Sequence, residues 1–347
     1  MTNHYTQSIN NKSFFRTLSV IFHFTPIDLL INLSKQKLIL PFYHTVSNKN
    51  LIHIKHLHNI KSSKQFEKEL DFYLKHYEPI DIFQLSKIKE NNKKPDKKYF
   101  SLSFDDGLSQ MYDVVAPILK RKGIPATFFL NSKFVDNKDL FYRYKASILI
   151  DEIEKVSLSK NVKNKIKQIL NDNKLTYSNI QKSILSINYT NKNIIDELAL
   201  ILDVDFNQYL KNEKPYLSTS QIQELVNAGF TIGAHSIDHP QYNLLSISEQ
   251  LRQTEQSVDF IADNFNVNYK TFAFPFTDYS VSKKFFEQIN NNIDISFGTA
   301  GLKNDTIKNH FQRIPIEVSK LGARNIIISE YLYYLFKMIF DKNIIIH

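Results

Sequence analysis

Residues 99–107 read YFSLSFDDG, and this stretch decides the fold. Tyr99, Phe100, Leu102 and Phe104 suit a strand buried in a sheet. Asp105-Asp106-Gly107 follows without a spacer, which sets two carboxylates at the strand's C-terminal end. Adjacent strand residues point to opposite faces, and a turn can bring both carboxylates towards one mouth. Carboxylates so close repel, and a shared proton or a bound cation would offset their charge. An ordinary Asp-Gly turn accounts for FDDG equally well, so the choice rests on what surrounds it.

Working outward, a helix is expected over Tyr112–Lys122, stopped by Gly123, and then the buried strand Ala126–Leu130, ATFFL. Strand, helix and strand over so short a run make a βαβ unit and hence a parallel sheet. Upstream, Leu38–Tyr43 reads as a buried strand with His44 at its C-terminal end, and Pro41 argues for an edge position or a bulge. A helix from Ser63 to about Tyr77 and a polar loop over Asn91–Lys98 lead back to the central stretch. Downstream, Phe230–Ala234, Thr271–Phe274, Ile295–Phe297 and Phe311–Ile316 read as strands separated by helices. With weaker candidates counted, the alternation predicts an α/β fold, a complete or incomplete β/α barrel.

Residues 131–216 interrupt that rhythm. Leu140–Val156 and Ile194–Leu210 look helical, joined by a polar Ser157–Asn193 stretch, and no strong strand appears. This is expected to be a helical insertion that sets substrate choice and leaves the chemistry to the barrel. Residues 1–37 read as an N-terminal helical segment, 38–320 as the body, and 321–347 as a C-terminal amphipathic helix.

The 347 residues include no cysteine, which excludes disulfides, thiolate metal sites and Cys nucleophiles. Any metal must be held by His, Asp or Glu. The net charge is +9, but the lysines are scattered among asparagines with no dense basic stripe, so no nucleic-acid partner is expected. Leu18–Phe24 is too short and too interrupted for a signal peptide, and the expected location is the cytoplasm. Ile326–Phe340 is nearly apolar but falls short of a span; a helix packed on the body is preferred over one lying peripherally at the inner membrane face.

His235 and His239, in GAHSIDHP, follow the Phe230–Ala234 strand. A spacing of four puts both imidazoles on one face of a helical turn. Sites in such folds gather at the C-terminal ends of strands, where FDDG also lies. Asp106, His235 and His239 together suit zinc with one open position, or a similar divalent ion. His53, His56 and His58 sit among lysines in an aperiodic run and read as a solvated loop.

SFDDG, GIPATFFL and NAGFTIGAHSIDHP together resemble the polysaccharide deacetylases of the NodB-homology type, carbohydrate esterase family 4. The resemblance runs from about Leu38 to Ile316, apart from the insertion. It implies a distorted (β/α)7 barrel, with Asp105 as catalytic base and Asp106, His235 and His239 as ligands of one divalent metal. Zn2+ is the first expectation, with Fe2+, Co2+ and Ni2+ as alternatives. It also implies an oxyanion contact from the backbone amide of Phe276, after Pro275 in FAFPF. The family's third motif begins with an arginine where this chain has Ala273, and the usual Leu-x-His has no match. Arg313, in QRIPIE, resembles the arginine of the poly-N-acetylglucosamine deacetylase branch, where a Tyr-His pair like Tyr43-His44 supplies the general acid. His310 is the next candidate for that acid. The implied reaction is hydrolysis of the N-acetyl group of N-acetylhexosamine in a glycan or lipid-linked sugar. An O-acetyl esterase or other deacylase, and a carbohydrate-binding protein without turnover, are the alternative readings.

Overall fold

The computed structural model describes residues 2–90, 95–290 and 292–347, so the loop expected over Asn91–Lys98 lies partly outside the described residues. Eight short strands form the central sheet: β1 Pro41–Tyr43, β2 Leu102–Phe104, β3 Ala126–Leu130 and β4 Thr231–Ala234, then β5 Thr271–Ala273, β6 Ile295–Gly298, β7 His310–Gln312 and β8 Ile314–Pro315. All neighbours are parallel, in the order β7-β6-β5-β4-β3-β2-β1-β8. The two ends of that order are one stretch of chain, because only Arg313 separates β7 from β8. Its N–H bonds the Gly298 carbonyl on one side at 3.1 Å, while the Ile314 N–H bonds the Leu40 carbonyl on the other at 2.8 Å. A single bent seventh run thus closes the ring: the α/β alternation gives the β/α barrel that it predicts, in the distorted (β/α)7 form that the resemblance implies.

Pro41 does not mark an edge. It opens β1 between β2 and β8, where its missing N–H interrupts no ladder. The runs LILPFY and YFSLSF each divide, since Leu38–Ile39 and Tyr99–Phe100 pair in a separate small sheet with Glu78–Pro79.

Strand alternation sorts the core. Tyr43, Phe104, Phe128, Ile232 and Phe272 face outward into a cluster shared with the surrounding helices, including Ser63–His76 and Ile247–Phe265. Leu40, Phe129, Ala273, Ile295 and Phe297 form a second cluster. With Phe104 outward, its neighbours Ser103 and Asp105 turn inward, where both meet Arg313. This phase delivers Asp105 to the site.

The insertion is more ordered than its composition implies. It holds five α-helices, Tyr142–Lys155, Lys160–Asp172, Ile180–Leu185, Asn193–Leu202 and Phe206–Glu213. The second and third fall in the stretch read as a linker: Val162, Ile166, Ile169 and Leu170 recur at helical spacing and pack into the insertion's own core. Asp203, in the left-handed region at φ 54°, ends the fourth helix and splits the expected Ile194–Leu210 run.

At the ends of the chain, helices Thr2–Ile21 and Ile27–Ser34 pack beside helix Ala323–Met338. The last is buried along Asn325–Tyr331, with Glu330 paired to Lys12 at 2.9 Å. Residues 344–345 then pair as a strand with Asn304–Asp305, an element that the sequence reading did not anticipate. Among the described residues no helix is long and apolar enough to cross a membrane.

Candidate metal and acid–base site

The turn after β2 brings the two carboxylates apart in role. Asp105 continues the strand, its N–H bonded to the Tyr43 carbonyl at 2.9 Å. Asp106 leaves it with φ 76°, and Gly107 follows at φ 69°. A non-glycine residue in that region carries a steric cost and persists where the surroundings impose it. A Cβ on Gly107 would also come within 3.1 Å of Leu130.

Asp105 is 2% exposed and held in a fork: Arg313 Nη1 and Nη2 donate to its two oxygens at 2.7 and 2.8 Å. Burial alone would raise its carboxyl pKa, but the Arg313 charge and then His235 outweigh that and lower it. Arg313 thus takes the place of the third-motif arginine that Ala273 lacks, as its resemblance to the branch arginine implies. Its guanidinium lies 4.3 Å from the Phe42 ring centroid and 5.3 Å from that of Phe129, so the cation is packed as well as paired.

His235 and His239 come from a loop, not the helical turn that their spacing predicts. Ser236 and His239 have φ of 71° and 60°, and the Ser236 hydroxyl accepts the His239 N–H at 3.0 Å, closing a side-chain turn. Gln253, on the Ile247–Phe265 helix, accepts the Ile237 N–H at 3.0 Å and braces the loop. The His235 Nδ1–H donates to the Ala273 carbonyl at 2.7 Å, which leaves Nε2 an acceptor facing the carboxylates. Burial, larger than the opposing pull of Asp105, lowers the His235 pKa to about 4.

Nε2 of His235 and of His239 lie 3.6 and 3.2 Å from Asp106 Oδ1. That oxygen is buried with no hydrogen-bond partner. Two imidazole nitrogens and one carboxylate oxygen thus converge on one point. A divalent cation fits this donor set, in both ligand type and spacing.

The insertion is not a bystander here. The Tyr144 hydroxyl donates to Asp106 Oδ2 at 2.5 Å, and the Phe141 ring stacks obliquely on His239 at 4.2 Å. Phe276, φ 58°, meets the His239 ring edge-on at 4.6 Å, following Pro275 in the loop after β5. The expectation that residues 131–216 leave the chemistry to the barrel therefore needs correction: the first insertion helix packs directly on the site.

His44 follows β1 directly, at the strand end next to that of Asp105. Its backbone N–H and its ring Nδ1–H both donate to Glu317 Oε2 at 2.7 Å, and the Thr45 N–H donates to Oε1 at 3.2 Å. Burial lowers the imidazole's pKa, but Glu317, and behind it Asp106 and Asp105, raise it to about 9. His58 stacks on His44 with ring centroids 3.8 Å apart; burial and the His44 charge push its pKa well down.

The reading of residues 53–58 as a solvated loop is overturned. Leu51, Ile52, Ile54 and Leu57 pack into the insertion's core, and His53 is 2% exposed with its Nδ1 2.8 Å from the Tyr209 hydroxyl. His310, the reserve candidate for the acid, belongs elsewhere, in a cluster with Asp278, Asp305 and His347.

A family model for polysaccharide deacetylase matches residues 92–291. Among curated proteins, the candidate polysaccharide deacetylase YxkH of Bacillus subtilis (strain 168) is 28% identical over 103 residues, 29% of this chain and 34% of that protein. The chain thus matches about a third of that relative's length. Two solved structures share the fold. The Streptococcus pyogenes deacetylase PplD, in complex with acetate, superposes with a TM-score of 0.53 at 15% identity, over 83% of this chain and 96% of that one. IcaB from Ammonifex degensii gives 0.52 at 14% identity, over 85% and 97%. The family model spans Asp105, Asp106, His235, His239 and Phe276, the residues that the fold gathers at one mouth, and by that match this chain belongs to the polysaccharide deacetylase family.

Proposed function

We propose that the chain is a metal-dependent deacetylase that hydrolyses the N-acetyl group of N-acetylhexosamine units in a glycan or lipid-linked sugar. One observation carries the reading: beside the metal-type triad, adjacent strand ends carry a buried carboxylate held ionised by Arg313 and an imidazole held protonated by Glu317. Hydrolysis of an amide needs both groups, a base for the attacking water and an acid for the departing amine. A divalent cation on Asp106, His235 and His239, zinc by donor type, would supply Lewis acidity for the carbonyl and a more acidic water. Asp105 accepts the water's proton, and Arg313 keeps its oxygens oriented and ionised. The Phe276 amide is assigned to the oxyanion. His44 gives its proton to the nitrogen that leaves. The Tyr-His and arginine placement favours the poly-N-acetylglucosamine branch of the family as the model for this site.

The direct test is acetate and free-amine release from N-acetylglucosamine oligomers and lipid-linked N-acetylhexosamines by the metal-loaded protein, against Asp105→Asn. Acetate from O-acetylated glycans alone would favour the esterase reading. Binding without release from either would favour a carbohydrate-binding protein.

Two further outcomes are expected at the triad. His235→Ala and His239→Ala should each lose the metal held there, read by elemental analysis after removal of loosely bound ions. Metal retained by His235→Ala with Asp106 unperturbed by it would place the ion elsewhere. Tyr144→Phe leaves Asp106 Oδ2 without its donor and should weaken metal affinity by about 10–100-fold while the fold persists. Competition with a chromophoric chelator measures this, and an unchanged affinity would reduce Tyr144 to packing.

A further inference from the structure

Behind the Phe276 loop lies a second group of ligand-type side chains that the deacetylase chemistry does not use. Asp278 comes from the loop after β5, Asp305 from the Asn304–Asp305 strand, His310 from the start of β7, and His347 from beyond the Ile344–Ile345 strand. Their side chains are buried, 4%, 1%, 0% and 3% exposed respectively. Four atoms converge. His347 Nε2 lies 3.0 Å from Asp305 Oδ2 and 3.8 Å from Asp278 Oδ2. His310 Nε2 lies 3.1 Å from Asp278 Oδ2 and 3.9 Å from Asp305 Oδ2. A tetrahedral ion with bonds of about 2.0–2.2 Å spaces its ligands about 3.3–3.6 Å apart, the middle of this range.

Hydrogen bonds on the far side of each ring aim the donors. The Val281 carbonyl, which can only accept, lies 3.2 Å from His347 Nδ1 and fixes the proton there. Nε2 is then the atom that faces Asp305 Oδ2 at 3.0 Å: it donates to that carboxylate when protonated and would offer its lone pair to an ion when not. His235 meets Asp106 in the same way, its Nδ1–H on the Ala273 carbonyl. For His310, Ser296 Oγ lies 2.8 Å from Nδ1 and can accept its N–H. Gln312 packs against the group itself: its Oε1 accepts the Ala300 N–H at 2.7 Å, and its Nε2 donates to Asp278 Oδ2 at 2.6 Å and Asp305 Oδ2 at 2.8 Å and lies 3.2 Å from His310 Nε2, so a bound ion shares these atoms with the amide. Such outer partners orient ligands in metal sites. Gly298 has no room for a side chain, because a Cβ would fall within 2.5 Å of the Asp278 carboxyl. An entry path exists, since Asp305, His310 and Gln312 also line a surface cavity of about 440 Å³.

We propose that Asp278, Asp305, His310 and His347 form a second, structural site for a divalent transition-metal ion, zinc by donor type. Two carboxylates and two imidazoles satisfy four-coordination and leave no open position, as a structural ion requires. The ion would clamp the Asn304–Asp305 and Ile344–Ile345 ladder to the barrel. It would also stiffen the Phe276 loop, because the Thr299 hydroxyl donates to the Phe276 carbonyl at 3.1 Å and the Thr299 N–H to Asp278 Oδ1 at 3.3 Å. This proposal does not depend on the deacetylase reading.

The test uses the full chain, stripped with a chelator and titrated with Zn2+ and with Co2+ as a visible reporter of four-coordination. Wild type should take up two ions per chain and His347→Gln one. The His235→Ala/His239→Ala variant, with the first site disabled, should retain one tightly bound ion and melt at higher temperature with zinc than without. Adding His347→Gln to that variant should weaken its remaining site by more than about 100-fold, beyond the 10–100-fold that loss of an outer partner costs. The proposal is overturned if wild type and His347→Gln bind the same number of ions. It is equally overturned if the folded His235→Ala/His239→Ala protein takes up none, in which case the cluster is an imidazolium–carboxylate network.

Discussion

Arg313→Met should destabilise the fold by about 3–5 kcal/mol and shift the acid limb of the rate profile to higher pH. The size follows from what is left behind. Asp105 is buried, and Arg313 supplies the forked partner for both of its oxygens. Without the guanidinium the desolvation that now opposes ionisation governs, and the carboxyl pKa rises. In the native protein the lowered pKa means that this pair stabilises the fold above the ordinary carboxylate range and is lost as pH falls through the folded value. The variant reverses the sign: its Asp105 is costly while ionised, so the variant should gain stability as the solution is acidified. A second substitution separates charge from packing. Arg313→Met/Asp105→Asn removes both ions and should recover most of the stability while remaining inactive. If Arg313→Met keeps the wild-type acid limb and loses under about 1 kcal/mol, Asp105 does not depend on the fork. Denaturant melts at several pH values, with metal-loaded rates beside them, decide it.

The parts of this site that the sequence revealed are those in which ligands lie on one short piece of chain. FDDG and HSIDH each place their side chains by a single turn, and both turns follow strands whose apolar runs are unambiguous. The barrel was legible for the same reason: strand and helix periods alternate outside residues 131–216. The resemblance named Arg313, whereas Glu317 was missed, and the placement of both depends on closure. Arg313 and Glu317 reach Asp105 and His44 only because the last strand bends between β6 and β1. Both lie outside the stretch that the family model matches. A signal for Glu317 was nonetheless present. In an extended run, Arg313, Pro315 and Glu317 share a face, so an inward arginine at 313 implies an inward carboxylate at 317.

Tyr144 and His58 had no comparable signal. Tyr144 sits in a helix whose pattern announces only an apolar face, and its reach to Asp106 depends on how the insertion docks. The 53–58 run misled because its lysines suggest solvent, whereas the fold buries Leu51, Ile54 and Leu57 against the insertion and carries His58 onto His44. Composition averages over a segment, and a segment of alternating charged and apolar residues can be buried along one side only.

His44→Ala should retain the metal and the fold, lose about 10²–10⁴-fold in rate on an N-acetylated substrate, and lose the alkaline limb of its pH profile. Breakdown of the tetrahedral species expels an amine, which needs a proton as it leaves. Asp105 serves the water as base, so the amine is assigned a second group as its acid. His44 is placed to give that proton, since Glu317 holds its pKa at about 9 against an ordinary 6.5. The raised value fixes the sign: the donor form and the stabilisation from its pairing are full below about 6.5 and fade as pH rises through about 9. Glu317→Gln should therefore move the alkaline limb down towards the ordinary imidazole value. It should lower the rate less than His44→Ala at slightly acidic pH, where the unsupported imidazole is still protonated. An ester with a good leaving group needs little protonation and should be nearly indifferent to both substitutions. Equal losses on amide and activated ester, or a Glu317→Gln profile identical to that of wild type, would make His44 a structural residue. The general acid would then have to be sought among the other groups at this mouth, beginning with His58, the ring stacked directly upon it.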